Sequence, residues 1–337
     1  MRRTTPDRPI DIEAIFPELT EYRRTGTRLH PRQGSPTLHE SSVGGPLLWP
    51  AREQWPVCTV RHDRNTGERL ADVRSRRRIL DEAWRRDPRR GPSEADREIL
   101  DGLERGKNSL GIEDVDPIPL LSVAQFFTRD FPGLSSPDGC DLLQFFWCPF
   151  EAHGSRRTVD VYLKWRRAED VADPLPDMPE PEVVGNADYV PNPCVLTPER
   201  VVEHEYVELL SEELQERIGE WEEEQYDEEE GDGDGEGLTY QHDLSIPPGW
   251  RIGGYASWPL TGPAPVRCSC GSSMRPLLTV HNREWDLGTL SWVPVEDRPE
   301  IGRMGANTPT GVSPGRGRLC VFICPVDPGH PHLLGVQ

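Results

Sequence analysis

Short apolar runs, cut by proline and glycine, set the rhythm of this chain. PLLSVAQFF (119–127), DLLQFFWC (141–148) and RTVDVYLKW (157–165) predict strands in the first half, and PLLTV (276–280), LSWVPV (290–295) and RLCVFIC (318–324) predict them in the second. These runs are rich in β-branched and aromatic residues, and several alternate, so one face of each sheet is expected to meet a core. Other stretches change period. Ile79, Leu80, Ala83 and Trp84 share a helical face, and Ser93-Glu94-Ala95-Asp96 reads as a capping box leading into Ile99, Leu100 and Leu103. Leu210, Leu214, Ile218 and Trp221 form a stripe that predicts a third helix from Ser211 to about Gln225.

The strand-like runs come in two series built on the same phrases. Val43-Gly44-Gly45 with Trp49-Pro50, then Cys58, then Pro119-Leu120-Leu121-Ser122-Val123, then Cys148-Pro149 recur as Ile252-Gly253-Gly254 with Trp258-Pro259, Cys268, Pro276-Leu277-Leu278-Thr279-Val280 and Cys324-Pro325. A histidine follows each Cys-Pro, His153 in the first series and His330 in the second. Repetition of ordered anchors is the mark of a duplicated unit. The expected fold is therefore α+β and β-rich, with two related, mainly antiparallel-sheet lobes from a tandem duplication. On this reading residues 1–42 are an N-terminal extension and 43–200 the first lobe, interrupted by a helical insertion at 59–118. Residues 201–243 then hold a helix and a disordered acidic linker, and 244–337 form the second lobe. Trp49 and Trp258 are expected to be buried packing residues.

Composition narrows the function. At 337 residues the chain can bury one large or two modest cores, and its 35 prolines and 31 glycines point to a loop-heavy fold. No run of about eighteen apolar residues exists, so no membrane-spanning helix is expected. The opening MRRTTPDRPIDIE lacks the apolar segment of a secretory signal. The reading is cytoplasmic and reducing, where eight cysteines serve as thiols or metal ligands rather than disulfides. A formal charge of −20 argues against nucleic acid and favours a basic protein partner. Residues 222–236 carry ten carboxylates, read as a disordered connector. Asp232, Asp234, Glu236 and Asp243 with Gly237 mimic a calcium loop, but Pro247-Pro248 denies it the second helix. The eight arginines from Arg74 to Arg90 are read as a solvated helical face paired with Asp81, Glu82 and Asp87.

One constellation carries chemistry. Cys268, Cys270, Cys324 and His330 supply the four soft or borderline donors that a closed tetrahedral zinc site needs, with Gly271 in the turn and His332 as an alternative to His330. The matching residues of the first series, Cys58, His62, Cys148 and His153, leave a second metal open; charged Arg61 and Asp63 suggest an exposed His62, and Cys320 reads as core. Cys148 with His153 could also be a nucleophile and base, though no third member is identifiable. No phosphate loop, nucleophile elbow or zinc-protease helix is present.

Across VGGPLLWP, PLLSVAQFF, DLLQFFWCPF, GGYASWP, CSCGSSMRPLLTV and LCVFICPVDPGHP the chain resembles the YwqG-like family of bacterial proteins of unknown function. The resemblance runs from about residue 40 to the C-terminus. It implies an α+β fold with extensive antiparallel sheet, no established enzymatic activity, and partner binding in toxin and immunity neighbourhoods. The family often has Cys-x-x-Cys-Gly where this chain has Cys268-Ser269-Cys270-Gly271. The functional expectation is a non-enzymatic protein-binding module with a structural zinc. A zinc- or thiol-dependent hydrolase is the alternative, and regulation by reversible thiol oxidation a third class.

Overall fold

The computed structural model describes residues 2–337 except 108–109, 112–115, 152, 154–158, 230–236 and 316. Its strands are β1 Arg23–Arg28, β2 Arg32–Gln33, β3 Ser42–Val43, β4 Val57–Cys58, β5 Glu68–Arg69, β6 Ile118–Pro119, β7 Leu121–Phe127, β8 Leu142–Trp147, β9 Val161–Arg166 and β10 Val183–Val184. They continue with β11 Cys194–Val195, β12 Glu199–His204, β13 Arg251–Gly253, β14 Arg275–His281, β15 Arg318–Ile323 and β16 Leu333–Val336. Two six-stranded antiparallel sheets dominate, in the orders β2-β11-β3-β7-β8-β9 and β12-β1-β13-β14-β15-β16. The pairs β4–β6 and β5–β10 form two small ladders. The expected α+β, β-rich architecture is what the chain adopts.

The two large sheets share one register. Val43 faces Ala124, Ala124 faces Phe145 and Phe145 faces Leu163 in the first; Ile252, Leu278, Val321 and Leu334 repeat that row in the second. Even the irregularity recurs, between Ser122 and Ala124 and between Pro276 and Leu278. This pairing makes Gly44 the counterpart of Gly253 and Cys148 that of Cys324. Gly44 and Gly253 both take positive φ, +63° and +69°, where a side chain is strained. The Pro-Leu-Leu phrases do not correspond. Leu121 faces Trp147 and Arg275 faces Ile323, so the phrases sit three residues out of step and their likeness is one of composition.

The first strands of the halves are exchanged. Thr27 of β1 pairs with Ile252 as Cys194 of β11 pairs with Val43, and each then leads through a Leu-x-Pro phrase, Leu29 to Pro31 and Leu196 to Pro198, into an edge strand. Residues 23–28 and 32–33, within the stretch read as an N-terminal extension, are thus sheet strands. Each sheet is completed by a strand from the other half.

Alternation along the central strands builds the layers. Leu143, Phe145 and Trp147 with Leu319, Val321 and Ile323 enter one core shared by the two sheets. Each such fully buried side chain contributes about 1.5–3 kcal/mol. The intervening Phe146 and Cys148 join Leu47, Trp49 and Trp55 in a second cluster, while Phe322 and Cys324 join Tyr255 and Trp258 in a third. Both tryptophans are buried, as expected, each against its sheet's phenylalanine at 5.4 and 5.9 Å between ring centroids. Coverage on both faces explains why these strands read as near-continuous apolar runs.

Helices fill the margins. In the insertion, α2 spans Leu70–Arg86 and α3 spans Glu94–Lys107, after a short α1 at Ile12–Ile15. The capping box at Ser93 and Asp96 forms in both directions. The expected arginine partners are corrected: Arg76 pairs with Glu68, Arg74 with Glu180, Arg86 with Asp96, and Arg77 donates to the carbonyls of Ala187 and Gly311. LSWVPV is no strand but part of 3₁₀ turns Leu287–Trp292 and Val295–Glu300. Helix α4, Glu212–Glu229, takes in the first part of the acidic run, because glutamate is a good helix former and Leu214 and Ile218 anchor it against Phe16 and Leu19. The remaining acidic residues of the expected linker, among them Asp232, Asp234 and Glu236 of the calcium-like loop, lie outside the described residues. No helix among the described residues is long and apolar enough to cross a membrane.

Candidate metal centres

The second series folds its cysteines into a hairpin tip. Arg267 and Ser273 bridge, the Cys268 amide donates to the Ser272 carbonyl at 2.9 Å, and the Gly271 amide donates to the Cys268 carbonyl at 2.9 Å. Gly271 has φ +90°, open to glycine without strain. Cys324 stands at the end of β15, and the turn after it is closed by the His330 amide donating to the Asp327 carbonyl at 3.1 Å. Cys268 Sγ then lies 3.4 Å from His330 Nδ1, and Cys270 Sγ lies 3.5 Å from Cys324 Sγ. The other ring nitrogen, Nε2, faces Asp327 Oδ2 at 3.5 Å, the place of a carboxylate that orients a ligating imidazole. His332 lies instead beside Val161 and Asp160.

The first series builds the same hairpin and opens its tip. Val57 faces Pro119 and Cys58 faces Ile118, where Arg267 faces Ser273 and Cys268 faces Ser272. The intervening turn is replaced by residues 59–117. His62, early in that insertion, lies 3.5 Å from both Cys58 Sγ and Cys148 Sγ, and His153 Nε2 lies 3.9 Å from Cys58 Sγ. The expectation of an exposed His62 is overturned: it is buried and stacks on Phe150 at 4.9 Å between centroids. Its charged neighbours point outward while the ring turns in. Cys320 is core, as expected.

In each group the four ligand atoms lie within 4.8 Å of one another. Zinc bonds of about 2.3 Å to sulfur and 2.0 Å to nitrogen put tetrahedral neighbours about 3.3–3.8 Å apart, close to the contacts of 3.4–3.9 Å found here. Both clusters could therefore hold a metal ion. Electrostatics distinguish them. Burial, with Cys58 alongside, pushes the Cys148 thiol far above its ordinary range, and burial also lowers the His153 value, keeping that imidazole neutral. Cys270 is exposed, and hydrogen bonds from Ser272, then Cys268 and Cys324, bring it down to about 6. Cys148 meets His62 rather than forming an isolated pair with His153, and its raised value is the reverse of an activated nucleophile's.

Compared with family models and with curated proteins, the chain finds no match. Sequence reasoning named the second cluster in full. It did not commit to the first, although the signal was present: the same anchors that make Cys148 equivalent to Cys324 place Cys58 where Cys268 stands.

Proposed function

We propose that this chain is a non-catalytic protein-binding module whose C-terminal half is fixed by a structural zinc on Cys268, Cys270, Cys324 and His330. The observation that carries the binding reading is a patch of exposed apolar side chains, Leu287, Leu290, Ile301 and Met304, around one shallow cavity of about 240 Å³. Leu287 is 82% and Met304 64% exposed, far more than packing requires, and clustered apolar exposure marks interaction sites. The net charge of −20 would steer a basic partner toward the molecule. A cytoplasmic setting, which keeps thiols available to a metal, and a YwqG-like, immunity-type role belong to the same reading.

The competing reading is a zinc- or thiol-dependent hydrolase. Each cluster already offers four protein donors, whereas catalytic zinc keeps a position open. The cavity of about 1070 Å³ lined by Trp258, Leu260, Val266 and Leu333 also holds Tyr189, which donates to Glu151 at 3.3 Å, but burial and then Glu151 push that phenol well above its ordinary range, the reverse of an activated nucleophile. The test is affinity capture from the native host with the wild type and with Leu287→Asp/Met304→Asp. A partner lost at least about tenfold in the variant is expected. An unchanged capture profile, or turnover in a hydrolase screen without any partner, would overturn the proposal.

A further inference from the structure

The two clusters occupy equivalent posts in equivalent hairpins, yet their donor sets differ. Cys58 stands for Cys268 and Cys148 for Cys324. Cys270 has no counterpart, because the turn that would carry it is opened, and His62 supplies the missing donor from the first residues of the insertion. Its ring is set by Phe150, which has room only because position 185 is glycine: a Cβ there would lie 2.3 Å from Phe150 Cδ1. The Gly185 amide donates to the Pro149 carbonyl at 2.9 Å, tying the Cys148 turn to the strand that pairs with β5 inside the insertion.

Charge explains the difference in burial. A divalent ion on two thiolates and two neutral imidazoles is net neutral, so it can sit among Trp55, Ile118 and Phe150 without an uncompensated charge. Three thiolates and one imidazole leave a net negative centre, and the second cluster keeps Cys270 at the surface. All four donors of the first cluster are buried. We infer that Cys58, His62, Cys148 and His153 bind a second zinc ion, which clamps the entry of the insertion at residues 59–117 onto the first sheet, the exit being held through the pairing of Ile118 with Cys58. Cys58 and His62 come from its entry, Cys148 and His153 from the sheet on which it rests. The inference stands apart from the partner reading, since a metal at the insertion's base is required by no particular partner.

The test is metal analysis of full-length protein purified without added zinc. The wild type is expected to carry two equivalents, Cys268→Ser/Cys270→Ser one, and that variant with His62→Ala none. One equivalent in the wild type, lost entirely with Cys268→Ser/Cys270→Ser, would overturn the inference. Should His62→Ala fail to fold, cobalt exchanged into Cys268→Ser/Cys270→Ser decides: a tetrahedral spectrum with two-thiolate charge transfer supports the site, and its absence rejects it. For the clamp, chelation of that variant should raise amide exchange at Val57–His62 and Ile118 at least about tenfold, restored by zinc. Metal loss without faster exchange there would refute the clamping role.

Discussion

At one hairpin tip the second half keeps residues 269–271; at the same tip the first half carries 59–117. Lengthening a loop roughly twentyfold costs about 2.5 kcal/mol in closure entropy, so a growth of this size is tolerable if its ends are held. The halves also differ under the sheets. Arg28, His30 and Arg251 are buried in the second, where the first has Val195, Thr197 and Ser42 at the paired positions. Arg251 meets both carboxylate oxygens of Glu203 at 2.7 and 2.8 Å, and Glu203 also accepts from the Tyr255 amide. The shared register thus fixes backbone pairing and leaves the polar chemistry of each half free to diverge.

Four measurements would sharpen or break that contrast. Glu203→Ala strands a buried guanidinium and should cost about 3–5 kcal/mol in urea denaturation, whereas Ser42→Ala should cost less than about 1 kcal/mol. Equal costs would mean the ion pair is incidental. Next, burial and then Arg28 hold His30 down to about 4, although its Nε2 faces Glu199 at 3.1 Å. Between that value and 6.5 the unfolded chain binds a proton that the fold refuses, so stability is full above pH 6.5 and falls toward pH 4. The loss is at most about 3 kcal/mol, and His30→Gln should flatten it. Third, a chelator should withdraw zinc from the exposed Cys270 site roughly tenfold faster than from the buried one, read by metal release in wild type. Identical rates would remove the distinction between them. The smallest effect belongs to the patch: Leu287→Asp should leave unfolding within about 0.5 kcal/mol of wild type while weakening capture.

Strands were legible in the sequence where a long run is buried on both faces, as at 142–147, because apolar runs of that length have few other uses; two-residue strands such as Ser42–Val43 and Val183–Val184 left no such run. LSWVPV failed because Pro294 and the buried Trp292 belong to turns whose packing partners are remote in sequence. The glycine, tryptophan and Cys-Pro anchors located the repeat, yet Pro-Leu-Leu matched two correctly expected strands three residues out of step, since apolar strand phrases resemble one another in any register. The zinc candidate on Cys268 was readable from local spacing. The one on Cys58 was left open, because its two local pairs are separated by the insertion and His62 is flanked by charge. Strand exchange was invisible, for β1 and β11 carry no local sign of which sheet will receive them.

That exchange bears on synthesis. β1 leaves the ribosome ahead of every other strand described here, but its seat lies between β12 and β13 and does not exist until residue 253 has emerged. The first half likewise waits for β11 before β2 and β3 are joined. Neither half can close by itself on the nascent chain, and the N-terminal segment must be kept from wrong partners until the C-terminal sheet arrives to take it.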